Sequence, residues 1–359
     1  MFKENYSVIG VMSGTSLDGI DLLHLDFAKR NNKWTFRLLE SETVPYTTLW
    51  LNKLQMAVAF SAEELQKLNE DYTFLLGNFI NNFIQNHNIT NLDAVCSHGH
   101  TILHQPQNGF TLQIGNLPII AELIQQTVVC DFRVQDVKLG GQGAPLVPIG
   151  DQILFSEFDF CLNLGGFSNV SFNENNSRIA FDIAPVNTVL NFYANQLNLD
   201  YDDKGIIARS GSCNQNLFNQ LNEVDFYAKK YPKSLGFEFV KEIILPIIQS
   251  YNLSIPDKMN TFIEHIAYQT SKALDKKEGK IFVTGGGAYN DFLMERLQFH
   301  LPKIKIIIPE SKILEFKEAL IFGLLGVLKL RGEINVLSSV TGASRDHSSG
   351  EMFVPNSKV

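Results

Sequence analysis

The sequence is poor in cysteine, with four in 359 residues. They are Cys96, Cys130, Cys161 and Cys213, and no two of them are separated by only two residues, as thiols in redox and zinc motifs often are. Three lie in apolar runs, where a small buried side chain is more typical than a disulfide or a metal ligand. A chain of this length can bury roughly three quarters of its unfolded surface, so it needs no such cross-link to fold.

Positive charge and long hydrophobic runs are scarce as well. Lys and Arg number 30 against 38 Asp and Glu, a net charge of -8, which argues against non-specific binding to nucleic acid but is compatible with a local phosphate pocket. The longest apolar stretch, near residues 319–328, is too short to span a bilayer, and residues 1–14 become polar too early for a signal peptide. We therefore expect a cytoplasmic protein with neither a nucleic-acid nor a membrane partner.

Composition and length are those of a globular protein with more than one domain. Hydrophobic residues make up 45% of the chain and charged residues 19%, the balance of a folded protein, and the length suggests about two domains. Segment 138–148 is dense in glycine and proline, and we place the boundary there. The predicted domains are 1–140 and 141–332, with a C-terminal tail, 333–359, expected to pack back on the first domain.

The same strand–turn–strand pattern opens both halves of the chain. Apolar segments 6–12 and 20–27 flank a turn that contains glycine, and segments 158–164 and 170–172 flank a second such turn at 165–169. Each pattern predicts a β-hairpin. The repeat suggests two related domains, with coincidence as the alternative because hairpins with glycine turns are common.

Helices and further strands alternate around these hairpins. Apolar residues at helical spacing predict helices, and short apolar runs predict buried strands. The predicted helices are 52–87, 257–274, 290–301 and 315–331, and the predicted strands are 92–98, 128–132, 280–283 and 305–308. This alternation indicates an α/β protein with mixed sheets.

Three glycine-rich turns have the character of a phosphate cradle. Residues 14–21 combine glycines with hydroxyl groups and with two carboxylates, Asp18 and Asp21, which would face a cation such as Mg²⁺. The second turn is 165–166. The third, 285–287, joins a predicted strand to a predicted helix, whose N-terminus would suit a nucleotide. Each turn alone is also typical of an ordinary loop, but the three together indicate a nucleotide held between two domains.

Histidine recurs at positions 98, 100 and 104. On a regular strand His98, His100 and His104 would share one face and could hold zinc. Gly99 and Pro106 make a regular strand unfavourable at this place. We therefore favour polar contacts to a ligand, or structural hydrogen bonds, over a zinc site.

Ordered motifs along nearly the whole chain carry a family resemblance. The motifs are GVMSGTSLDGID (10–21), SHGHTILHQP (97–106), DFRVQDVKLGGQGAPLVP (131–148), LNLGGFSNV (162–170), FDIAPVN (181–187), DYDDKG (200–205), PKSLGFE (232–238), TGGGAYN (284–290), KEAL (317–320) and SSVTGAS (338–344). By these motifs the chain resembles the anhydro-N-acetylmuramic acid kinases, sugar kinases of the actin/hexokinase/Hsp70-like ATPase superfamily. The resemblance implies an α/β fold of two RNase H-like (actin-like ATPase) domains with an interdomain cleft.

The resemblance implies an ATP-dependent sugar kinase that uses Mg²⁺. Members of the family act on 1,6-anhydro-N-acetylmuramic acid, a product of cell-wall turnover. They open the 1,6-anhydro ring with water and phosphorylate O6, giving N-acetylmuramic acid 6-phosphate in peptidoglycan recycling. A positioned carboxylate must take the proton of the attacking water, while the γ-phosphoryl group captures the departing O6. A homodimer is left open.

The resemblance also implies roles for single residues. Asp182 matches the family's catalytic aspartate, with a turn or helix-capping aspartate as the structural alternative. The implied nucleotide-binding residues are Gly14, Thr15, Ser16, Leu17, Asp18, Gly19, Ile20, Asp21, Gly165, Gly166, Gly285, Gly286, Gly287 and Asn290. The implied sugar-binding residues are His100, Thr101, Arg133 and Glu318. Metal ligands are left unassigned.

Two of the sugar-binding assignments have structural alternatives. Arg133 would clamp the lactyl carboxylate of the sugar through two parallel hydrogen bonds, or it would form a buried ion pair with Asp131 or Asp136. Glu318 would orient sugar hydroxyls, or it would only stabilise the start of a helix through the helix dipole.

The sequence departs from the family pattern at two places. The family's FDTGPGN is FDIAPVN here, so Ile183, Ala184 and Val186 replace a threonine and two glycines. The family's HGQT is HGHT, so His100 replaces a glutamine. Lost glycines restrict the backbone and its approach to a ligand. The departures keep two alternatives open: a kinase for another anhydro sugar such as levoglucosan, and a non-catalytic ATP-binding sensor.

Overall fold

The chain folds into two compact units. The residues that the computed structural model describes are 2–14, 17–274 and 278–356. One unit consists of Met1–Leu154 with Phe316–Val359, and the other of Phe155–Glu315. The first unit is therefore discontinuous in sequence, and the second is inserted into it.

Strands and helices alternate in both units. The strands are β1 (Asn5–Ser13), β2 (Ile20–Arg30), β3 (Lys33–Val44), β4 (Ala94–Gln105), β5 (Phe110–Ile114), β6 (Val128–Cys130), β7 (Phe160–Leu164), β8 (Phe167–Glu174), β9 (Ser177–Pro185), β10 (Gly279–Thr284), β11 (Ile304–Ile307) and β12 (Glu351–Phe353). The helices are α1 (Thr48–Met56), α2 (Ala62–Asn86), α3 (Ile119–Ile124), α4 (Val134–Lys138), α5 (Val147–Leu154), α6 (Asn187–Asn195), α7 (Ile206–Ser210), α8 (Gln215–Asn222), α9 (Asp225–Ala228), α10 (Phe237–Phe239), α11 (Leu245–Gln249), α12 (Ile255–Ala273), α13 (Asp291–His300), α14 (Ser311–Leu330) and α15 (Ser338–Thr341). The α/β class predicted from the sequence is confirmed.

The two sheets repeat one strand order. In the first unit β1, β2 and β3 form an antiparallel meander, β4 lies parallel to β1, and β6 lies parallel to β4. In the second unit β7, β8 and β9 form the meander, β10 lies parallel to β7, and β11 lies parallel to β10. The opening hairpin of each half is thus confirmed. The shared order, a meander followed by two parallel strands, is that of the predicted RNase H-like domains.

The units divide the chain at positions other than the predicted 140 and 332. Helix α5 belongs to the first unit because Gly150 packs against Ile321 of α14 and Asp151 forms a buried ion pair of 2.8 Å with Lys317. The part of α14 that carries these partners, from Phe316 onward, belongs to the first unit for the same reason. The C-terminal segment joins this unit as well, since β12 pairs with β6.

The helix predicted over 52–87 consists of two helices. A 3-10 turn at Ala57–Ala59 separates α1 from α2. Ser61 then starts α2 with a capping box, in which its side chain accepts from the N–H of Glu64 and the Glu64 carboxylate accepts from the N–H of Ser61. Because this cap satisfies backbone groups that one continuous helix would bond internally, the chain begins a new helix there.

Helix α14 packs on the first sheet with its backbone unusually close to the strands. A Cβ atom on Gly10 of β1 would lie 2.0 Å from the carbonyl oxygen of Ala319, and one on Gly326 would lie 2.2 Å from the Cys96 sulfur. Only glycine permits this approach of a helix backbone to a strand. The helix is apolar on nearly all sides because it is buried, and it contains the apolar stretch 319–328. Within the part of the chain that the structure describes, no helix has the length and apolar character needed to cross a membrane.

Substitution of Gly10 by alanine is expected to destabilise the first unit by about 3 kcal/mol, because the new methyl group overlaps the α14 backbone, which cannot rotate away. Gly323→Ala, on α14 itself, is the matched control, since its Cβ would meet nothing closer than 3.4 Å. Urea unfolding followed by circular dichroism gives both free energies of unfolding. Equal stability of the two variants would contradict the close packing.

The cysteines are distributed as the composition suggested. Cys96, Cys130 and Cys161 are buried, and Cys213 is exposed. Burial raises the pKa of Cys96 and Cys130 far above the ordinary value of a thiol. These thiols therefore act as small hydrophobic side chains.

Candidate active site

The first glycine turn connects β1 to β2. Leu17 donates its N–H to the carbonyl of Gly14 at 3.3 Å, while Thr15 and Ser16 lie outside the described residues. A Cβ on Gly19 would lie 2.7 Å from the carbonyl oxygen of Val44, so this glycine is needed for close packing with β3. Ile20 is fully buried in the core, so only its backbone could meet a ligand.

Two carboxylates flank this turn. Asp18 is exposed at a bend, and Asp21 accepts a 2.6 Å hydrogen bond from the Thr43 hydroxyl on β3. Asp18 also contributes to raising the pKa of Glu318. Among the described residues no cluster of three His, Cys, Asp or Glu side chains could hold a metal. One or two carboxylates are nevertheless what Mg²⁺ usually takes from a protein when phosphates supply the other ligands.

A chain of buried hydroxyls ends directly before the turn. Ser13, the last residue of β1, contacts the Tyr46 hydroxyl at 2.6 Å and Nδ1 of His100 at 2.8 Å, and Tyr46 contacts the Tyr72 hydroxyl at 2.6 Å. All four side chains are at least nine-tenths buried. Burial lowers the pKa of His100 to about 4 and raises the pKa of Tyr46. His100 is therefore neutral at physiological pH.

The neighbouring histidine holds Arg133. Nε of Arg133 donates to Nε2 of His98 at 2.9 Å, and the other ring nitrogen of His98 lies 2.9 Å from the Gly99 carbonyl. Both contacts are satisfied when His98 is neutral and carries its proton on Nδ1. Burial, together with the charge of Arg133, holds the pKa of His98 well below its ordinary value.

The three histidines do not act as one group. The pairing of β1 with β4 shifts between Val11 and Ser13, and Gly99 has φ +72°. This irregularity breaks the alternation of side chains that would have put all three rings on one face. His104 contacts the Thr111 hydroxyl at 3.0 Å. The hydrogen-bonding interpretation thus accounts for each ring separately.

Arg133 is fixed a second time through its Nη1 group. Nη1 donates to the Gly143 carbonyl at 2.6 Å, and the Gly143 N–H donates to the Asp136 carboxylate at 2.7 Å. The fully buried Asp136 also accepts from the Thr341 hydroxyl at 2.7 Å. Asp136 therefore reaches Arg133 through the backbone of Gly143 rather than by a direct ion pair. Burial lowers the pKa of Arg133 to about 10, and the charges of Glu318 and Asp136 oppose this effect.

Glu318 lies where α14 changes its course. Helical geometry is interrupted at Phe316, and the buried Lys317–Asp151 pair anchors the following turn. The Glu318 side chain keeps a solvent-exposed part, while desolvation of its carboxyl group by the surrounding protein raises its pKa, with Arg133 and Lys317 acting in the opposite direction. Glu318 and Arg133 are therefore electrostatic neighbours in the first unit.

Thr101 lies one residue beyond His100 on β4. Its hydroxyl accepts from the Gln113 amide at 3.3 Å, and the same amide donates to Thr111 at 2.8 Å. Both partners stand on β5, which pairs with β4. Thr101 is thus fixed by the sheet itself.

The second unit brings its two glycine segments together around Leu164. Gly165 and Gly166 form the turn between β7 and β8, and the Gly166 carbonyl accepts from the N–H of Val186 at 2.8 Å. A Cβ on Gly285 or Gly287 would lie within 2.8 Å of Leu164 atoms. These two glycines are therefore required for packing, whereas a Cβ on Gly286 would meet nothing closer than 3.6 Å.

The predicted order of strand, glycine loop and helix is confirmed. A 3-10 turn at Gly286–Tyr289 stands between β10 and α13, which begins at Asp291. Asn290 caps α13, since its side-chain oxygen accepts from the N–H of Leu293 at 2.9 Å. The glycines thus precede the helix N-terminus, as predicted, and the Asn290 side chain caps it.

Asp182 stands on β9, three residues before the strand ends. The N–H of Leu235 donates to Oδ2 at 2.8 Å, and the backbone N–H of Asp182 donates to the carbonyl of Lys233 at 3.1 Å. The side chain is half-buried. Burial raises the pKa of Asp182 to about 6, and the Leu235 N–H opposes the shift. Such a carboxylate is ionised at neutral pH and still basic enough to accept a proton.

The loop beside Asp182 is held by Lys233. Its ammonium group lies 4.6 Å from the centre of the Phe226 ring and 6.0 Å from that of Phe181. It also reaches the carbonyl of Phe226 at 3.4 Å. These contacts tie the 232–238 motif to the strand that carries Asp182.

Several residues of the site were not found from the sequence. Ser13 lies inside a recognised motif, so proximity to a glycine turn could have indicated it, whereas Asp136 was expected only as a direct ion-pair partner of Arg133. Tyr46 and Tyr72 carry no local signal, because they meet His100 only after long-range packing. Leu235 contributes its backbone N–H, which no residue type reveals.

Comparison with known proteins gives a consistent family. A family model described as anhydro-N-acetylmuramic acid kinase matches residues 6–355. The anhydro-N-acetylmuramic acid kinase of Shewanella putrefaciens is 34% identical over 98% of this chain and 99% of its own length. That of Psychrobacter arcticus is 33% identical over 94% of this chain and 92% of its own length.

Solved structures are similar at much lower identity. Component A of (R)-2-hydroxyglutaryl-CoA dehydratase from Acidaminococcus fermentans is 11% identical, covers 91% of this chain and 99% of its own, and has a TM-score of 0.47. A hexokinase from Schistosoma mansoni complexed with glucose is 9% identical, covers 89% and 84%, and has a TM-score of 0.35.

Proposed function

The chain belongs to the anhydro-N-acetylmuramic acid kinase family, and we propose that it uses ATP to convert 1,6-anhydro-N-acetylmuramic acid into N-acetylmuramic acid 6-phosphate. The observation that carries this proposal is the carboxylate of Asp182. One of its oxygens is held by the Leu235 N–H, and burial raises its pKa to about 6. The other oxygen, Oδ1, has no hydrogen-bond partner among the described residues and is available to a water molecule.

The proposed reaction consists of two coupled displacements. Asp182 accepts a proton from water as the water oxygen bonds to C1 and the C1–O6 bond breaks. O6 then bonds to the γ-phosphorus of ATP, whose bond to the β-phosphate oxygen breaks and releases ADP. The proton resides on Asp182 at the end of the step, and no other acceptor is needed. A carboxylate of ordinary pKa would be a weaker base for this water.

The sugar side of the proposal rests on charge. Nε of Arg133 donates to His98 and Nη1 donates to the carbonyl of Gly143. In the described part of the chain Nη2 has no acceptor. A guanidinium fixed at two points loses little conformational entropy when it binds a carboxylate. The lactyl carboxylate of the muramic sugar supplies this partner, and we propose that Glu318 accepts from sugar hydroxyls beside it.

The same argument weighs against levoglucosan, which has no carboxylate. A sugar without that group would leave Nη2 of the half-buried Arg133 without an acceptor from the ligand, and polar groups left unpaired in a site discriminate strongly between substrates. His100 and Thr101 complete the proposed sugar contacts. This charge argument, together with the family membership, favours the muramic sugar over the alternative substrate.

We propose that the three glycine segments bind the phosphates of ATP, through 14–21, 165–166 and 285–287. Asp18 and Asp21 lie in the first of these segments, and Asp21 pairs with Met12 of β1 across the hairpin. Their oxygen chemistry suits Mg²⁺, which when bound would neutralise charge on the phosphoryl oxygens. The metal and a cytoplasmic location stay predictions, and a homodimer stays open.

The first experiment is a measurement of ADP release with Mg-ATP in the presence and absence of 1,6-anhydro-N-acetylmuramic acid. We expect the sugar to raise ADP release by at least about 100-fold over ATP hydrolysis alone, because water attacks C1 only when the sugar is bound. Levoglucosan at the same concentration serves as the comparison. Turnover with levoglucosan that equals turnover with the muramic sugar would reject the proposed substrate. ATP binding without turnover on either sugar would favour the sensor instead.

A further inference from the structure

The direction of the hydrogen bonds around His100 follows from counting hydrogens. Three hydroxyls, on Ser13, Tyr46 and Tyr72, share three contacts, of which the last leads to Nδ1 of His100. Each hydroxyl has one hydrogen to donate. The groups are buried, and a buried hydroxyl hydrogen without an acceptor is costly.

Along the three shortest contacts of this cluster, of 2.6, 2.6 and 2.8 Å, all three hydrogens find acceptors in one arrangement only. Tyr72 donates to Tyr46, Tyr46 donates to Ser13, and Ser13 donates to Nδ1 of His100. If Nδ1 instead carried a hydrogen and donated to Ser13, four hydrogens would compete for three contacts. One tyrosine or serine hydrogen would then have no partner in the described network.

We infer that the hydroxyl chain fixes His100 as the Nε2–H tautomer, so that this ring presents a hydrogen-bond donor to an acceptor oxygen of the sugar. Nε2 has no partner among the described residues, although the side chain is only 2% exposed. The low pKa of the ring keeps it neutral across the physiological range. The inference rests on the proposed function for the identity of the acceptor, but not for the tautomer.

This arrangement explains why histidine can stand where the family pattern has glutamine. A glutamine amide can accept from Ser13 through its oxygen and donate through its nitrogen. A neutral histidine that accepts at Nδ1 and donates at Nε2 presents the same pair of functions. The replacement at position 100 thus conserves the donor and does not by itself require another substrate.

The tautomer is measured on the protein without any sugar. Long-range ¹H–¹⁵N spectra of ¹⁵N-histidine-labelled protein distinguish the two neutral forms, and His100→Gln identifies the signal. We expect the Nε2–H form in wild type, unchanged from pH 6 to 8. Detection of the Nδ1–H form or of an imidazolium in that range would overturn the inference, whatever the activity.

Two variants separate the hydroxyl chain from simple packing. Tyr72→Phe leaves two hydroxyls and two contacts, so we expect the Nε2–H form to persist. Ser13→Ala removes the donor to Nδ1, so we expect a mixture of tautomers. A mixture in Tyr72→Phe, or an unchanged spectrum in Ser13→Ala, would contradict the assigned direction.

The donor role is tested by sugar KM. We expect His100→Gln to change the sugar KM by less than about threefold, and His100→Leu to raise it by about tenfold, since Leu has no donor. The KM for ATP should stay constant in both. Equal effects of Gln and Leu would reject the donor role. If wild type shows no sugar-dependent turnover, the proposed function fails while the tautomer result stands by itself.

Discussion

Asp182→Asn is expected to lower sugar-dependent ADP release by about 1,000-fold, within the range that a general base contributes to catalysis. The amide has the shape of the carboxylate and can still accept from the N–H of Leu235, but it cannot take a proton from water. The change should appear in kcat, measured by coupled ADP detection at saturating sugar. Turnover equal to wild type would remove Asp182 from the role of base.

The pH dependence provides a second test of the same residue. Because a base must be ionised and burial raises the pKa of Asp182 to about 6, kcat/KM of wild type should fall by about tenfold per pH unit below that pH. The residual rate of Asp182→Asn should not follow this curve. A wild-type profile that stays flat down to pH 5 would contradict the assignment.

Protein stability distinguishes loss of chemistry from loss of fold in this variant. The folded pKa of Asp182, about 6, lies above the unfolded value of about 3.9. The folded state therefore binds the proton more tightly, and this contribution to stability is present below pH of about 4 and lost as pH rises through 6. Asparagine never ionises, so the variant should be at least as stable as wild type at pH 8.

Arg133→Met is expected to lower kcat/KM for the muramic sugar by about 100-fold or more, because truncating one partner of a buried charge pair costs about 2–5 kcal/mol. The KM for ATP should change less than about threefold, since Arg133 contacts His98 and Gly143 rather than the glycine turns. Steady-state kinetics with each substrate varied in turn gives both constants. A loss confined to ATP would contradict the assignment.

A second substrate controls for indirect damage by Arg133→Met. 1,6-Anhydro-N-acetylglucosamine lacks the lactyl carboxylate but keeps the anhydro ring. Wild type should use it about 100-fold less well than the muramic sugar, and the variant should treat the two sugars alike, because the coupling between Arg133 and the carboxylate is gone. Equal losses on both sugars would show that the substitution acts through the fold.

Local patterns in the sequence were sufficient for the opening hairpin of each sheet, but not for β3, β5 or β12, for which no strand was predicted. The alternation of β1 and β2 around a glycine turn, and its repeat in β7 and β8, is a local signal, and both hairpins are confirmed. Unit boundaries are not local. They depend on which helix Gly150 and Asp151 pack against, and those partners come from α14, far along the chain.

The site was less accessible from sequence than the fold. Motifs indicated Asp182 and Arg133, but not the contacts that tune them, because Leu235 acts through its backbone and Asp136 acts through Gly143. The zinc alternative arose from a spacing of histidines that a shift in strand pairing invalidates. The only sign of this shift in strand pairing that the sequence contains is a glycine, Gly99.

Because the first unit is discontinuous in sequence, the order of synthesis determines when its parts become available to fold. The ribosome releases Met1–Leu154, then all of Phe155–Glu315, and only afterwards the helix and strand that close the first sheet. At a translation rate of about 5–20 residues per second, α14 is synthesised roughly 10 to 40 seconds after β4 and roughly 15 to 60 seconds after β1. The second unit can finish folding in that interval, whereas the first exposes the surface around Gly10 and Cys96. A nascent chain arrested before residue 316 would thus carry Asp182 in a complete unit and Arg133 in an unfinished one.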